Sequence, residues 1–382
     1  MGRCHGGVRK RGPLGQRAEL SCNAEMADAE AVIPGDGKMI HPDGSAKRPC
    51  AGHYPEQFCR SICSTGLVAG AEMSQRGTVL VLGGTGHFGQ HIVGSLAAKG
   101  VSVRVLTRSA TRARGNLPET VQVTEGDLES RETVTRALQG VNRVVVSVSA
   151  FRRGQIRKMW AIERDAVIAA LDEAKVAGVK RIVYVSVFDI RPEIPDRLHL
   201  DSARIKQEVE TYLKSSAFDW TIIGAPPSME IFFAMMRDDR MVVPGGGPKA
   251  VPTISPVDLG EIVAQAVLRD DLGKRRIRLA GPELLSFPEA AKRLSVVYRK
   301  TIRFTAIPLS LPRIAWYVTW PLGRFSGTLY YVHTMLGFVQ LLNEFPQDMA
   351  LASVEDHKDL VRTFSYTPTT LEMEARRRLG PD

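Results

Sequence analysis

From residue 78 onward, short apolar runs alternate with amphipathic stretches, and glycines mark many of the switches. Thr78-Val79-Leu80-Val81-Leu82 is β-branched and apolar, the pattern of a strand covered on both faces. A helical period runs from Gln90 to Lys99 and stops at Gly100, a C-cap glycine. Val101–Leu106, Thr120–Val123, Val141–Ser149, Val179–Val187 and Trp220–Ile223 read as further strands. Glu129–Leu138, Ala161–Ala177 and Ser202–Leu213 read as the helices between them. This alternation predicts an α/β fold with a doubly wound parallel sheet. Ligands of such sheets bind outside the carboxyl ends of the strands, which here carry Gly83, Thr107, Asp127, Ser147 and Ser186.

Beyond the sixth strand the pattern becomes mostly helical. Val251 to Leu268 reads as a short strand and a helix, and Arg276–Leu279 as another strand. Ser286-Phe287-Pro288-Glu289 fits a capping box that opens a helix to about Arg299. Residues 304–343 carry only two formal charges, Arg313 and Arg324, and the span 298–345 holds 10 of the 25 aromatic residues. Pro308, Pro312 and Pro321 are expected to break up its first half. Phe325–Leu342 lacks charge and proline, but Ser326, Thr328, His333, Thr334 and Gln340 make it a poor membrane-spanning helix. The expected role of 304–343 is an apolar lid over a substrate pocket; peripheral membrane contact and a protein-complex interface are the alternatives. His333 stands isolated in the sequence, with no metal-ligand spacing around it.

Residues 1–72 have neither period. They hold 11 of the 34 glycines, with nine basic and eight acidic residues. They are expected to be a disordered N-terminal tail, or the product of a start placed upstream of Met73. The expected organisation is therefore 1–72 as extension, 73–282 as sheet domain and 283–382 as a small substrate or interaction lobe. The start has no apolar core of a secretory signal, and early acids argue against a transit peptide. All five cysteines lie in this tail, at Cys4, Cys22, Cys50, Cys59 and Cys63, with no CxxC pair, so no metal site is expected. A cysteine-free body suits a reducing compartment, and the expected location is cytoplasmic, with any membrane association on the cytoplasmic face. The net charge of +10 suits an anionic partner such as a phosphate-bearing cofactor or acidic lipid. No basic stripe with interleaved aromatics points to nucleic acid.

The chemistry concentrates at Gly83-Gly84-Thr85-Gly86-His87-Phe88-Gly89, between the first strand and the first helix. Gly83 would permit the tight turn, Gly86 a close backbone approach to a pyrophosphate, and Gly89 close helix–strand packing. The helix N-terminus adds free N–H groups and a positive dipole end. The ring of His87 is expected to matter less than its backbone. An acidic residue about 20 positions further on would bind the ribose of NAD. The chain instead reads Leu106-Thr107-Arg108-Ser109, with Arg112 and Arg114 behind. Arg108 suits the 2′-phosphate of NADP, since a guanidinium pairs with phosphate through two hydrogen bonds.

Taken together, these motifs resemble the NmrA-like, atypical branch of the short-chain dehydrogenase/reductases, in the NAD(P)-binding Rossmann superfamily. The matching segments are the glycine loop, Gly126-Asp127-Leu128, Ala174-Lys175-Val176-Ala177-Gly178-Val179-Lys180-Arg181-Ile182-Val183-Tyr184-Val185-Ser186, and Thr221-Ile222-Ile223 followed by Met229-Glu230. The resemblance implies that Gly83, Thr85, Gly86, His87, Phe88 and Gly89 bind the pyrophosphate and that Thr107 and Arg108 select NADP. It further implies that Asp127 and Leu128 flank the adenine, and that Ser147, Val148 and Ser186 border the nicotinamide. The wider superfamily uses a Tyr-x-x-x-Lys pair. Here Lys206 fits the lysine, but Ser202 replaces the tyrosine, and a serine hydroxyl is a poor general acid unless activated. Lys206 is the one candidate catalytic residue, for ribose binding or proton donation. Gly224-Ala225 and then Pro226-Pro227 stand where relatives often carry an Arg-Pro pair. The expected activity is hydride transfer from NADPH to a moderately apolar small molecule. The alternative is a non-catalytic NADP(H)-binding sensor or an accessory factor of a membrane complex.

Overall fold

The computed structural model describes residues 77–189, 191 and 193–379. The expected tail, its cysteines and Met73 lie outside the described residues.

Seven parallel strands form the main sheet. They are β1 (Thr78–Leu82), β2 (Val103–Thr107), β3 (Gln122–Glu125), β4 (Val141–Val146), β5 (Arg181–Val187), β6 (Asp219–Ala225) and β10 (Arg275–Arg278). Their spatial order is β3-β2-β1-β4-β5-β6-β10. The order reverses beside β1, which pairs with β2 on one side (Val81 with Val105) and β4 on the other (Val81 with Val145). A doubly wound sheet opens its ligand crevice at that reversal. The third strand lies two residues later than the apolar run suggested; it is the edge of the sheet and pairs only with β2.

Alternate side chains of each strand enter different cores. Val79, Val81 and Val105 meet α1 (Gly89–Ala98) and α8 (Pro256–Leu268). Leu80, Leu82 and Val144 meet α3 (Arg131–Ala137), α4 (Ala166–Val176) and α6 (Asp201–Ser215). Helices α1 and α8 approach closely: a Cβ on Gly260 would lie 2.6 Å from the His91 backbone. A short helix α2 (Ala110–Arg114) follows β2. Helix α4 is preceded by a π-helical turn, Ala161–Asp165, so the expected helix over 161–177 starts irregularly.

Short elements connect to the C-terminal part: α5 (Glu193–Arg197), α7 (Glu230–Ala234), β7 (Met236–Arg237), β8 (Arg240–Pro244) and β9 (Val251–Pro252). Then come β11 (Leu284–Leu285), α9 (Phe287–Val297), β12 (Arg303–Ile307), α10 (Ser310–Gly323), α11 (Gly327–Asn343), α12 (Gln347–Thr363) and α13 (Leu371–Leu379). The expected capping box opens α9, where the Ser286 hydroxyl accepts from Glu289 N. A third core joins Met229, Met241, Leu294 and Ala375, so packing runs continuously across the expected boundary at 282/283. The prolines do not break residues 310–323. Pro312 sits in the first turn of α10, where a missing N–H matters least; Pro321 lies in its last turn, where it removes one i→i−4 bond and the helix ends two residues later.

Candidate cofactor and active site

The glycine loop is built as its spacing requires. Gly83 has φ +82°, and a Cβ there would lie 2.4 Å from the Ser147 carbonyl oxygen. Gly89 opens α1, and its Cβ would fall 2.0 Å from the Gly83 oxygen. Gly86 N donates to that same oxygen at 2.9 Å, closing the turn. Thr85 is exposed at the top, and Phe88 anchors the loop against the first core. The ring of His87 departs from expectation. Its Nδ1 lies 3.2 Å from a Glu230 carboxylate oxygen and its Nε2 3.1 Å from the Ser228 hydroxyl. His87 thus ties the loop to the segment following β6.

At the end of β2, the Thr107 carbonyl accepts from Gly126 N at 2.8 Å, joining the β2 and β3 ends. Arg108 is exposed, and its guanidinium lies against the Gln155 side chain, whose oxygen accepts at 2.8 Å when the amide is turned to satisfy both. Asp127 spends one carboxylate oxygen on Glu129 N at 3.0 Å, and its carbonyl accepts from the Thr133 hydroxyl at 2.6 Å. Leu128 packs against the second core. An open groove of about 610 Å³ between α3 and α4 shares only Leu128 with this set and lies away from the strand ends.

Under the end of β4 the structure assembles a buried ionic cluster. Ser147 N donates to the Leu82 carbonyl at 2.9 Å, holding the β1 and β4 ends together. Lys206 Nζ donates to the Val148 carbonyl at 2.8 Å and lies 3.2 Å from a Glu163 oxygen. It also stands 5.3 Å from the Tyr184 ring centre. Glu163, only 1% exposed, accepts from Ala150 N through its other oxygen at 2.6 Å. Lys206 is therefore neither a surface lysine nor a free amine: its charge is neutralised from the π-helical turn. The Tyr184 hydroxyl is buried without a partner. Burial first, and then the Glu163 and Glu210 carboxylates, push its pKa well above the usual phenol value.

Ser186 does not present its hydroxyl to the cleft. It donates to Glu210 at 2.6 Å, and Glu210 also accepts from Arg276 Nε and Lys214 Nζ, each at 3.0 Å. Burial would raise the Glu210 pKa, but the bonds from Arg276, Ser186 and Lys214 outweigh it and hold the carboxyl below its ordinary value. Arg276 also fills the space beside Gly224, where a Cβ would fall 2.8 Å from the guanidinium. Ser202 lies one turn before Lys206 on α6 with its hydroxyl buried and unpartnered. Its neighbour Asp201 accepts from the Tyr330 hydroxyl on α11. His333 is not isolated. Its Nδ1 lies 3.0 Å from the Trp316 carbonyl and its Nε2 3.3 Å from Nδ1 of His199, with the His199 ring stacked on Trp320.

Glu163, Tyr184, Glu210 and Arg276 were not singled out by sequence reasoning. Glu163 and Glu210 sit in amphipathic helices, where an acid ordinarily marks the solvated face. Apart from Lys214, one turn after Glu210, their partners lie 13 to 66 residues away in sequence, so local spacing carries little signal for them.

A parallel sheet whose order reverses at β1, a backbone cradle that side chains would fill, and a helix N-terminus aimed at it define a dinucleotide-binding domain. The family described as NAD(P)H-binding matches residues 83–269. The NAD(P)H azoreductase of Xenophilus azovorans is 29% identical over 235 residues, 60% of this chain and 77% of that protein. The photosystem II assembly factor Ycf39 of Guillardia theta is 25% identical over 270 residues, 70% and 83% of the two chains. The Citrobacter sp. triphenylmethane reductase complexed with NADP(H) shares the fold at a TM-score of 0.60 and 15% identity, covering 78% and 99% of the two chains. Residues 83–269 are an NAD(P)H-binding domain, and the chain resembles the NmrA-like, atypical short-chain dehydrogenase/reductases. Among the described residues, no helix is long and apolar enough to cross a membrane.

Proposed function

We propose that the protein is an NADP(H)-dependent reductase acting on a conjugated, moderately apolar acceptor. The observation that carries the reading is the glycine cradle at the β1/β4 reversal, with exposed Arg108, and no acid, at the end of β2. Arg108 would hold the 2′-phosphate, exchanging the Gln155 amide for a doubly charged partner. Gly83, Gly86 and the first N–H groups of α1 would hold the pyrophosphate. When bound, the nicotinamide supplies a hydride. Lys206 acts as a positioning residue: it fixes the Val148 carbonyl, and with Glu163 the Ala150 amide, at the edge of the nicotinamide site. Hydride addition to a conjugated acceptor leaves a delocalised anion that water can protonate. Such a reaction has less need of the acidic tyrosine that Ser202 replaces. The azoreductase activity of the Xenophilus azovorans relative supports this class of acceptor.

Calorimetric titration of the full chain with NADPH and NADH tests the cofactor. Tighter NADPH binding is expected, with the preference reduced about 10- to 100-fold in Arg108→Ala. Equal affinities in the unaltered chain would refute the Arg108 assignment. Turnover is tested by loss of reduced-nicotinamide absorbance with azo, quinone and enone acceptors. The second reading, a non-catalytic NADP(H)-dependent accessory factor, is favoured by Ser202 and by the assembly-factor relative. It prevails if NADPH binds tightly and none of these acceptors is reduced.

A further inference from the structure

Helix α10 is apolar on the side that faces away from the protein. Its inward seam is Pro312, Trp316, Thr319 and Gly323, all buried, and α11 packs beside it. At about 100° per residue, the opposite direction falls on Ile314, Val318, Pro321 and Phe325. Ile314 is 61%, Val318 54% and Phe325 83% exposed. A surface helix ordinarily places polar residues there. The stretch Ser310–Phe325 contains no acidic residue.

One border of the stripe is basic and aromatic. Arg313, Tyr317, Trp320 and Arg324 share it by helical spacing. Glu344 answers Arg313. Among the described residues Arg324 faces no acidic partner, and its carbonyl accepts from Arg157 at 2.9 Å. Arg157 and the neighbouring Arg152 and Arg153 are exposed, and no acidic partner faces them among the described residues. Their loop is held against α11 by Phe151, 5.4 Å from Phe338. Arg324 and Arg157 thus place two such cations at the end of the apolar stripe, with Arg152 and Arg153 in the loop that leads to Arg157.

We propose that α10 docks flat on an anionic phospholipid surface. The stripe enters the acyl boundary, Tyr317 and Trp320 sit at headgroup level, and the unpaired arginines meet lipid phosphates. A bilayer offers an apolar layer bordered by a sheet of negative charge, and α10 presents an apolar stripe bordered by positive charge. The roughly 21 Å length of a 14-residue helix lies in the interface and does not need to span it. This inference is independent of the cofactor reading.

Co-sedimentation of the full chain with phosphatidylcholine vesicles, with and without phosphatidylglycerol, tests it. Binding is expected only to the anionic vesicles, and high salt should release it. The double substitution Ile314→Ser with Phe325→Ser should lower partitioning on the order of 100-fold. Arg153→Gln with Arg324→Gln should lower it about 30-fold. NADPH affinity, measured on the same preparations, should not change in either variant. The proposal is overturned if the unaltered chain stays in the supernatant or if the serine variant binds like it. A dimer that the serine variant dissociates in the absence of lipid would assign the stripe to a second copy and overturn it equally. Vesicle binding gained only after removal of residues 1–76 would assign it to that segment.

Discussion

Val81 in β1 and Val318 in α10 are the same residue in opposite surroundings: the first has no exposure, the second is 54% exposed. In β1, helices cover both sheet faces, so every apolar side chain finds a partner and the apolar run reports burial directly. In α10 the seam at Pro312, Trp316, Thr319 and Gly323 is buried and Trp320 stacks on His199, while Ile314, Val318 and Phe325 stay exposed among the described residues. Hydrophobicity along a sequence measures what must leave water; it does not say which surface will receive it.

The sharpest break between the two regions is expected at Gly89. Gly89→Val would drive a side chain into the Gly83 carbonyl, and we expect loss of nucleotide binding by more than about 100-fold with a clear fall in thermal stability. A normal NADPH titration in that variant would show that the turn is not the pyrophosphate cradle. Next in size is the buried pair under β4. Glu163→Gln leaves Lys206 charged and unpaired, and urea unfolding should show a loss of about 3–5 kcal/mol. Adding Lys206→Met should return part of it. Equal instability of the single and double variants would argue against a paired cluster.

The smallest effect belongs to the helical hairpin and depends on pH. Burial lowers the pKa of His333, opposed by its bond to the Trp316 carbonyl; His199 and Asp201 act on it with opposite signs. Burial also lowers His199, with Arg204 adding to the effect and Asp201 opposing it. Both rings therefore resist protonation in the folded chain more than in the unfolded one. Their contribution is complete above the unfolded value of about 6.5 and declines as pH falls from there towards the lowered folded values. Melting temperature should drop over that interval, and His333→Gln should flatten the drop. An unchanged slope in His333→Gln would place the titrating groups elsewhere.

The sheet was legible because period-two and 3.6-residue patterns dominate where neighbours are close in sequence, as in Thr78 to Gly100. The loop from Gly83 to Gly89 was legible because only glycine fits those backbone positions. Lys206 was legible as a position, but its partner was not: Glu163 reaches it across 43 residues and out of an irregular turn. Pro308, Pro312 and Pro321 read as breaks because a proline's cost depends on its place within a helix, which the sequence alone does not reveal.

The π-helical turn at Ala161–Asp165 has a consequence for how this chain can vary in length. Such a turn is an α-helix carrying one surplus residue. Excising a single residue there would regularise the helix and rotate the segment before it by about 100° relative to α4. The Glu163 carboxylate would swing away from Lys206 and from Ala150 N together. Residue count in this helix is thus part of the site: a one-residue deletion there would strand a buried cation.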